Sequence, residues 1–193
     1  MIPDLGYLAL ILAFVAAVFA AVAAFYGTRT NKPHWVESAR NATIATFPLI
    51  AIACLLLIYS LVTGDFSVEY VWRVSSIEMP TYLKVTALWG GQAGSLLFWN
   101  LLLAVFTAAS MARNWSKQRE LMPYAIIIAS FTQIFFIAIS VFVENPFARL
   151  AVVPLDGNGL NPLLRHPGMI IHPPMLYLGF VGFTIPYAFA MSA

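Results

Sequence analysis

The residues of this chain best suited to chemistry lie in one stretch, Arg165-His166-Pro167-Gly168-Met169-Ile170-Ile171-His172-Pro173-Pro174. A neutral imidazole can offer a ring nitrogen to a metal, and histidine is a common axial ligand of haem iron. His172 stands directly before two prolines, the first of which suits a helix start and fixes its own backbone angle. That puts the imidazole on a stiff backbone at the mouth of an apolar segment. The plain alternative is that His172 caps the helix or rests in a lipid headgroup layer, because a single histidine is a weak metal signal. His166 is less constrained, and His34 belongs to a different part of the chain.

Two further stretches stand out. Trp89-Gly90-Gly91-Gln92-Ala93-Gly94-Ser95-Leu96-Leu97-Phe98-Trp99 pairs Gly90 with Gly94 in a small-x-x-x-small spacing that permits close helix approach. Its Trp89 and Trp99, with Trp72, could stack on a planar apolar ligand or belong to an interfacial aromatic belt. The other stretch runs from Glu144-Asn145-Pro146-Phe147 to Pro154-Leu155-Asp156-Gly157-Asn158-Gly159-Leu160-Asn161-Pro162. Its Asn-Pro and Asp-Gly pairs mark turns, so it reads as an ordered scaffold loop.

The elements that must position these residues are membrane helices. The chain is 61% hydrophobic and 9% charged, where a soluble domain carries roughly 25% charged residues. Too little polar surface remains to clothe it in water. A span needs roughly 20 apolar residues. Such segments are 5–26, 42–63, 92–112, 124–143 and one from about 174 to 193, and none of them holds an Asp, Glu, Lys or Arg. The expected fold is therefore all-α, polytopic, with about five spans and two long outer loops, 64–91 and 144–173. Proton pumps and many transporters need ionisable groups at membrane depth, so the uncharged spans argue against a pump core.

The short connections 27–41 and 113–123 carry Arg29, Lys32, Arg40, Arg113, Lys117 and Arg119. By the positive-inside rule these loops face the cytoplasm, leaving the N-terminus and both long loops periplasmic. A formal net charge of +2 gives no reason to expect nucleic acid. Met1-Ile2-Pro3-Asp4 lacks the basic start of a signal peptide, so the first span is read as retained. Cys54 stands alone, which excludes an internal disulfide and a C-x-x-C-H attachment site within this chain. In the first long loop, Val68 to Val74 is expected as a short strand or an interfacial segment. Pro80 to Trp89 is expected to lie along the membrane surface before Gly90-Gly91 bends the chain inward.

Taken in order, several motifs resemble the CcmF family of cytochrome c maturation haem lyases, within the wider CcmF/CcsA haem-handling group. They are Trp89-Gly90-Gly91 with Gly94-Ser95-Leu96-Leu97 and Trp99, Asn145-Pro146-Phe147, Gly157 to Leu164, and His172-Pro173-Pro174-Met175-Leu176-Tyr177-Leu178-Gly179. Met1 to Gly6 and Gly64-Asp65-Phe66-Ser67-Val68 fit as well, so the likeness runs end to end.

The resemblance implies cytochrome c-type biogenesis: haem handling, and covalent haem attachment to apocytochrome c at the periplasmic face of a bacterial inner membrane or a mitochondrial one. It implies that His172 matches the first of two periplasmic histidines that ligate the haem, with Trp89 and Trp99 as candidate haem-side aromatics. It implies the haem chaperone CcmE, CcmH/CcmI-type apocytochrome-handling subunits and apocytochrome c as partners. It also implies haem b as substrate, with a structural haem b ligated outside this segment. The family's tryptophan-rich motif, W-G-x-x-W-x-W-D, is absent, and Trp89-Gly90-Gly91 matches only its opening. The second periplasmic histidine and the transmembrane haem histidines are missing too, and the chain stops within an apolar run. The expectation is an N-terminal portion, or one piece of a split homologue, inactive as a lyase alone. The alternative is a structural or transport subunit of a respiratory or permease complex without haem contact.

Overall fold

The computed structural model describes residues 1–193. The apolar runs become α1 (Ile2–Arg29) and α2 (Pro33–Thr63), followed by two short outer helices, α3 (Glu69–Val74) and α4 (Thr81–Thr86). A 3-10 turn over Ala87–Trp89 leads into α5 (Gln92–Asn114), and α6 (Met122–Phe142) returns. The chain ends in α7 (Pro167–Gly182) and α8 (Thr184–Ala190), which together make the last apolar rod. Five helical stretches are long and apolar enough to cross a membrane. With so little charge to clothe them in water, the chain is an integral membrane protein.

Helices α1, α2, α5 and α6 form a closed ring, each packed on its two neighbours; α7 leans on α5 and α8 on α6. Without a hydrophobic drive between helices in lipid, close approach depends on small side chains. Helix α1 supplies them: Ala9, Ala13, Ala17, Ala20 and Ala24 are buried along one stripe. Two sets of buried polar side chains link helices, while the Ser60, Thr107 and Ser130 hydroxyls have no partner. The Asn100 amide donates to the Leu96 and Phe136 carbonyls at 3.0 and 3.2 Å and lies 2.9 Å from the Ser140 hydroxyl. Gln133 of α6 donates to Thr46 of α2 at 2.8 Å. No Asp, Glu, Lys or Arg is fully buried.

Helix α2 starts well before the apolar segment that announces it. At 31 residues it is about 46 Å long, against a hydrocarbon core of about 30 Å. Its first turns therefore carry Glu37 and Arg40 out of the membrane. Glu37 pairs with Arg119 at 3.2 Å, and the Arg40 guanidinium sits 4.9 Å from the Trp115 ring centre. Counting apolar residues finds the membrane portion and stops where the charges begin, although the helix does not.

The start of α1 and the two long loops meet at the opposite end of the bundle from these contacts. Phe147 lies against Gly6, and Arg149 pairs with Asp4. Val68 and Arg149 form one antiparallel bridge, flanked by Glu69 N–H to the Ala148 carbonyl and Leu150 N–H to the Ser67 carbonyl at 2.8 and 2.9 Å. Asn158 and Gly159 donate to the carbonyls of Trp72 and Ser75, and Asp156 accepts from Ile77 N–H at 2.8 Å. The result is a knitted outer cap.

Two expectations for the cap change. The stretch from Val68 to Val74 is mainly the helix α3, because its side-chain alternation is imperfect and only Val68 finds a strand partner. At the Gly90-Gly91 bend neither residue adopts a left-handed φ: Gly90 is near −80° and Gly91 near −151°. Glycine is needed there for space. A Cβ on Gly91 would press on the Tyr70 ring at 3.0 Å and on Val74 at 3.2 Å. A Cβ on Gly94 would collide with the Leu88 carbonyl and the Tyr70 hydroxyl, so the Gly90/Gly94 spacing admits a tyrosine and a turn where a helix was expected.

Candidate functional site

The last helix begins at Pro167, not Pro174. His166 is its N-cap, with Nδ1 accepting from Gly168 N–H at 3.1 Å. Proline suits the first helical position because its missing donor is an orphan there anyway. Pro173 and Pro174 consequently fall inside α7, and His172 stands one turn into the helix, not before it.

Helix α7 presents Ile170, Pro173, Pro174, Tyr177 and Val181 toward the bundle; Val181 is fully buried and the others are half-buried. At 100° per residue, His172 lies on the opposite side. Its side chain is exposed and makes no hydrogen bond within the chain. Met169, Met175 and Leu176 flank it with exposed apolar surface. Gly179, two turns further along the same face, has nothing within 4 Å of where a Cβ would stand. The outward face is thus apolar and carries one uncommitted imidazole.

These features fit the haem that the motifs imply. An imidazole without an internal partner can ligate iron, and an exposed apolar strip suits a porphyrin face. No cluster of three or more His, Cys, Asp or Glu residues that could hold a metal ion is present. His166 is committed to its cap, and His34 sits at the start of α2, at the other end of the bundle.

The tryptophans divide differently. Trp89 lies on the bundle side of α7, packed at 5.3 Å on Phe98, and its indole N–H donates to the Ile170 carbonyl at 3.1 Å. Trp99 stands between three helices, stacked on Phe136 at 5.1 Å and on Phe180 at 6.4 Å, with Tyr177 at 5.4 Å. A groove of about 330 Å³ opens beside it, lined by Gln92, Ser95, Leu96, Trp99 and Tyr177. Trp72 packs against the core beneath the cap. Trp89 and Trp99 therefore join α7 to α5 from behind, while His172 faces the other way.

Sequence reasoning overlooked Tyr70. Its buried hydroxyl donates toward the Ala87 and Leu88 carbonyls at 2.8 and 3.1 Å and accepts from Gly91 N–H at 3.1 Å. Burial pushes the hydroxyl above the usual tyrosine range, against a smaller lowering from the Gly91 amide. The only hint in the sequence was a tyrosine in a loop rich in apolar residues.

Comparison with known proteins agrees with this fold. The family described as "Cytochrome C assembly protein" matches residues 89–193. The cytochrome c-type biogenesis protein ccl1 of Rhodobacter capsulatus is 39% identical over 193 residues, covering 100% of this chain and 30% of its own. CcmF of Pseudomonas aeruginosa, also a cytochrome c-type biogenesis protein, is 38% identical over 194 residues, with the same coverage. A solved structure, the cytochrome c heme lyase CcmF, matches the whole chain with a TM-score of 0.86 at 26% identity and is covered over 30% of its length. The chain thus spans about 30% of the length of these relatives. With its five apolar helical stretches, it is an integral membrane member of the cytochrome C assembly protein family.

Proposed function

We propose that this chain is the N-terminal, haem-facing portion of a CcmF-like lyase, and that His172 gives one axial ligand to the haem being delivered. The observation that carries this reading is the exposed, unpartnered His172 on the side of α7 turned away from the bundle. The relatives named above are biogenesis proteins, which sets aside the structural or transport alternative.

Haem is the substrate. The chemistry is addition of a cysteine thiol across a haem vinyl group, sulfur bonding to one carbon and the proton going to the other, so no oxidant is consumed. The part assigned to this chain is to hold the iron from one side and present the porphyrin edge at the outer face. The knitted cap gives α7 a rigid base for that task. Thioether formation itself belongs to the complete assembly, as does any structural haem b. By the distribution of basic residues the cap is periplasmic, in a bacterial inner membrane or its mitochondrial counterpart. There it would meet CcmE, CcmH/CcmI-type subunits and apocytochrome c.

The test is His172→Ala in the full-length protein. Haem transfer to apocytochrome is expected to fall sharply and to recover when imidazole is added. Normal yield without imidazole would remove His172 from the site.

A further inference from the structure

We infer that Trp89 is the positioning residue for His172, acting through a backbone carbonyl that the Pro173-Pro174 pair leaves without a local donor. The inference rests on the haem-facing reading of α7 given above.

The prolines of α7 leave a helical deficit. In a helix the carbonyl of Ile170 should accept from the amide four residues on, or three residues on in a tighter turn. Those residues are Pro174 and Pro173, and neither has an N–H. Both donors are gone from one carbonyl. Away from water an unpaired carbonyl is costly and needs a donor from elsewhere. The donor present is the Trp89 indole, at 3.1 Å.

The indole is itself held in place. The Ser95 hydroxyl donates to the Trp89 carbonyl at 3.1 Å, and the Tyr70 hydroxyl holds the carbonyls of the two residues before it. Phe98 packs on its ring. These contacts tie the indole N–H to the outer cap and to α5, two elements that belong to the packed body. It is the one polar link between a side chain of that body and the outer half of α7.

Helical geometry makes that link directional. His172 follows Ile170 by two residues, which is about 200° around the helix. Anchoring the Ile170 carbonyl inward therefore sets the rotation of the helix so that His172 points out. It also fixes the depth of the turn that carries it. Losing the anchor lets α7 rotate or straighten at its prolines, and the imidazole swings with it. Trp89 contributes from behind the helix and need not touch the haem.

The test is a double-mutant cycle in the full-length, membrane-reconstituted protein. Trp89→Phe keeps an aromatic ring against Phe98 and deletes the N–H. Pro174→Ala gives the Ile170 carbonyl its local amide back and makes the indole donor redundant. Two readouts are followed: the thermal midpoint, and the haem absorption spectrum with and without imidazole.

Trp89→Phe is expected to lower haem occupancy roughly five-fold or more, the scale of an unsatisfied buried group. The loss should be largely reversed by imidazole. In the Pro174→Ala background the same change should cost less than about two-fold, with a matching reduction in its effect on the midpoint. An equal cost of Trp89→Phe in both backgrounds would show that the indole matters only by packing, and would overturn the inference. So would an unchanged haem spectrum in Trp89→Phe, given a spectrum that His172→Ala does alter. If His172→Ala leaves the haem untouched, the proposed function fails by itself. The thermal coupling then decides the hydrogen bond alone.

Discussion

The packed body and the last span are built from the same kinds of residue but are surrounded very differently. In the most apolar stretches of α1, α2, α5 and α6, 39–44% of residues are buried, and in the α7–α8 stretch 6% are. The glycines tell the same story. A Cβ on Gly6, Gly94 or Gly157 would strike a ring, a hydroxyl or a backbone carbonyl, whereas Gly179 and Gly182 face open space. The body has used its small residues to seat its own side chains. The last span keeps an apolar, nearly featureless face with one histidine on it. The lesson is that apolar helices can serve internal packing in one place and leave a surface for something else in another.

The sharpest way to break this comparison is to add a methyl group on each side. Gly94→Ala should cost about 3 kcal/mol or block accumulation of the protein, since its Cβ meets the fixed Leu88 carbonyl. Thermal unfolding in detergent or nanodiscs measures it. A loss under about 0.5 kcal/mol would show that the turn is looser than its contacts indicate.

Next in size, Asn100→Leu removes the polar tie between α5 and α6 and should lower stability by about 1–2 kcal/mol. A stabilised variant would mean that apolar packing can replace the link.

Tyr70→Phe should cost about 1 kcal/mol at neutral pH by stripping the Ala87 and Leu88 carbonyls of their donor. It also has a pH signature. The folded hydroxyl titrates above its unfolded value of about 10, so its contribution is complete below that pH. Above it the unfolded chain gives up the proton first and stability falls. Unfolding measured from pH 8 to 11 should show an alkaline decline in the parent that is reduced in Tyr70→Phe. Parallel profiles would argue against a protected hydroxyl.

The smallest effect is expected at Gly179→Ala, within about 0.5 kcal/mol for this part of the protein, because nothing stands near the new methyl. A large loss of haem transfer with that small change in stability would sharpen the comparison, marking the outward face of α7 as occupied in the working assembly.

The spans were legible in the sequence because bilayer crossing is a matter of length and apolar content, both local properties. Helix ends were less so. Glu37 and Arg40 look like loop residues until Arg119 and Trp115 are brought beside them. The same limit applies at the site. His172 could be singled out by residue type and its proline neighbours, and the family likeness by motif order. Which way it faces required the whole helix. Pro167 had to be recognised as the true helix start, and α5 had to lie behind Ile170. Pro173 and Pro174 did carry a readable warning, since two missing amides orphan one carbonyl wherever a helix runs through them.

By itself, then, the sequence determined that this is a helical membrane protein of about five spans, because hydrophobicity and backbone-donor content are properties of a residue and its immediate neighbours. The tertiary structure alone decided that Trp89 serves α7 from inside the bundle, that Tyr70 holds the turn behind it, and that His172 faces outward. Those depend on contacts between residues as far apart in the chain as Trp89 and Ile170, and the side that a helix shows is settled only by what packs against the other.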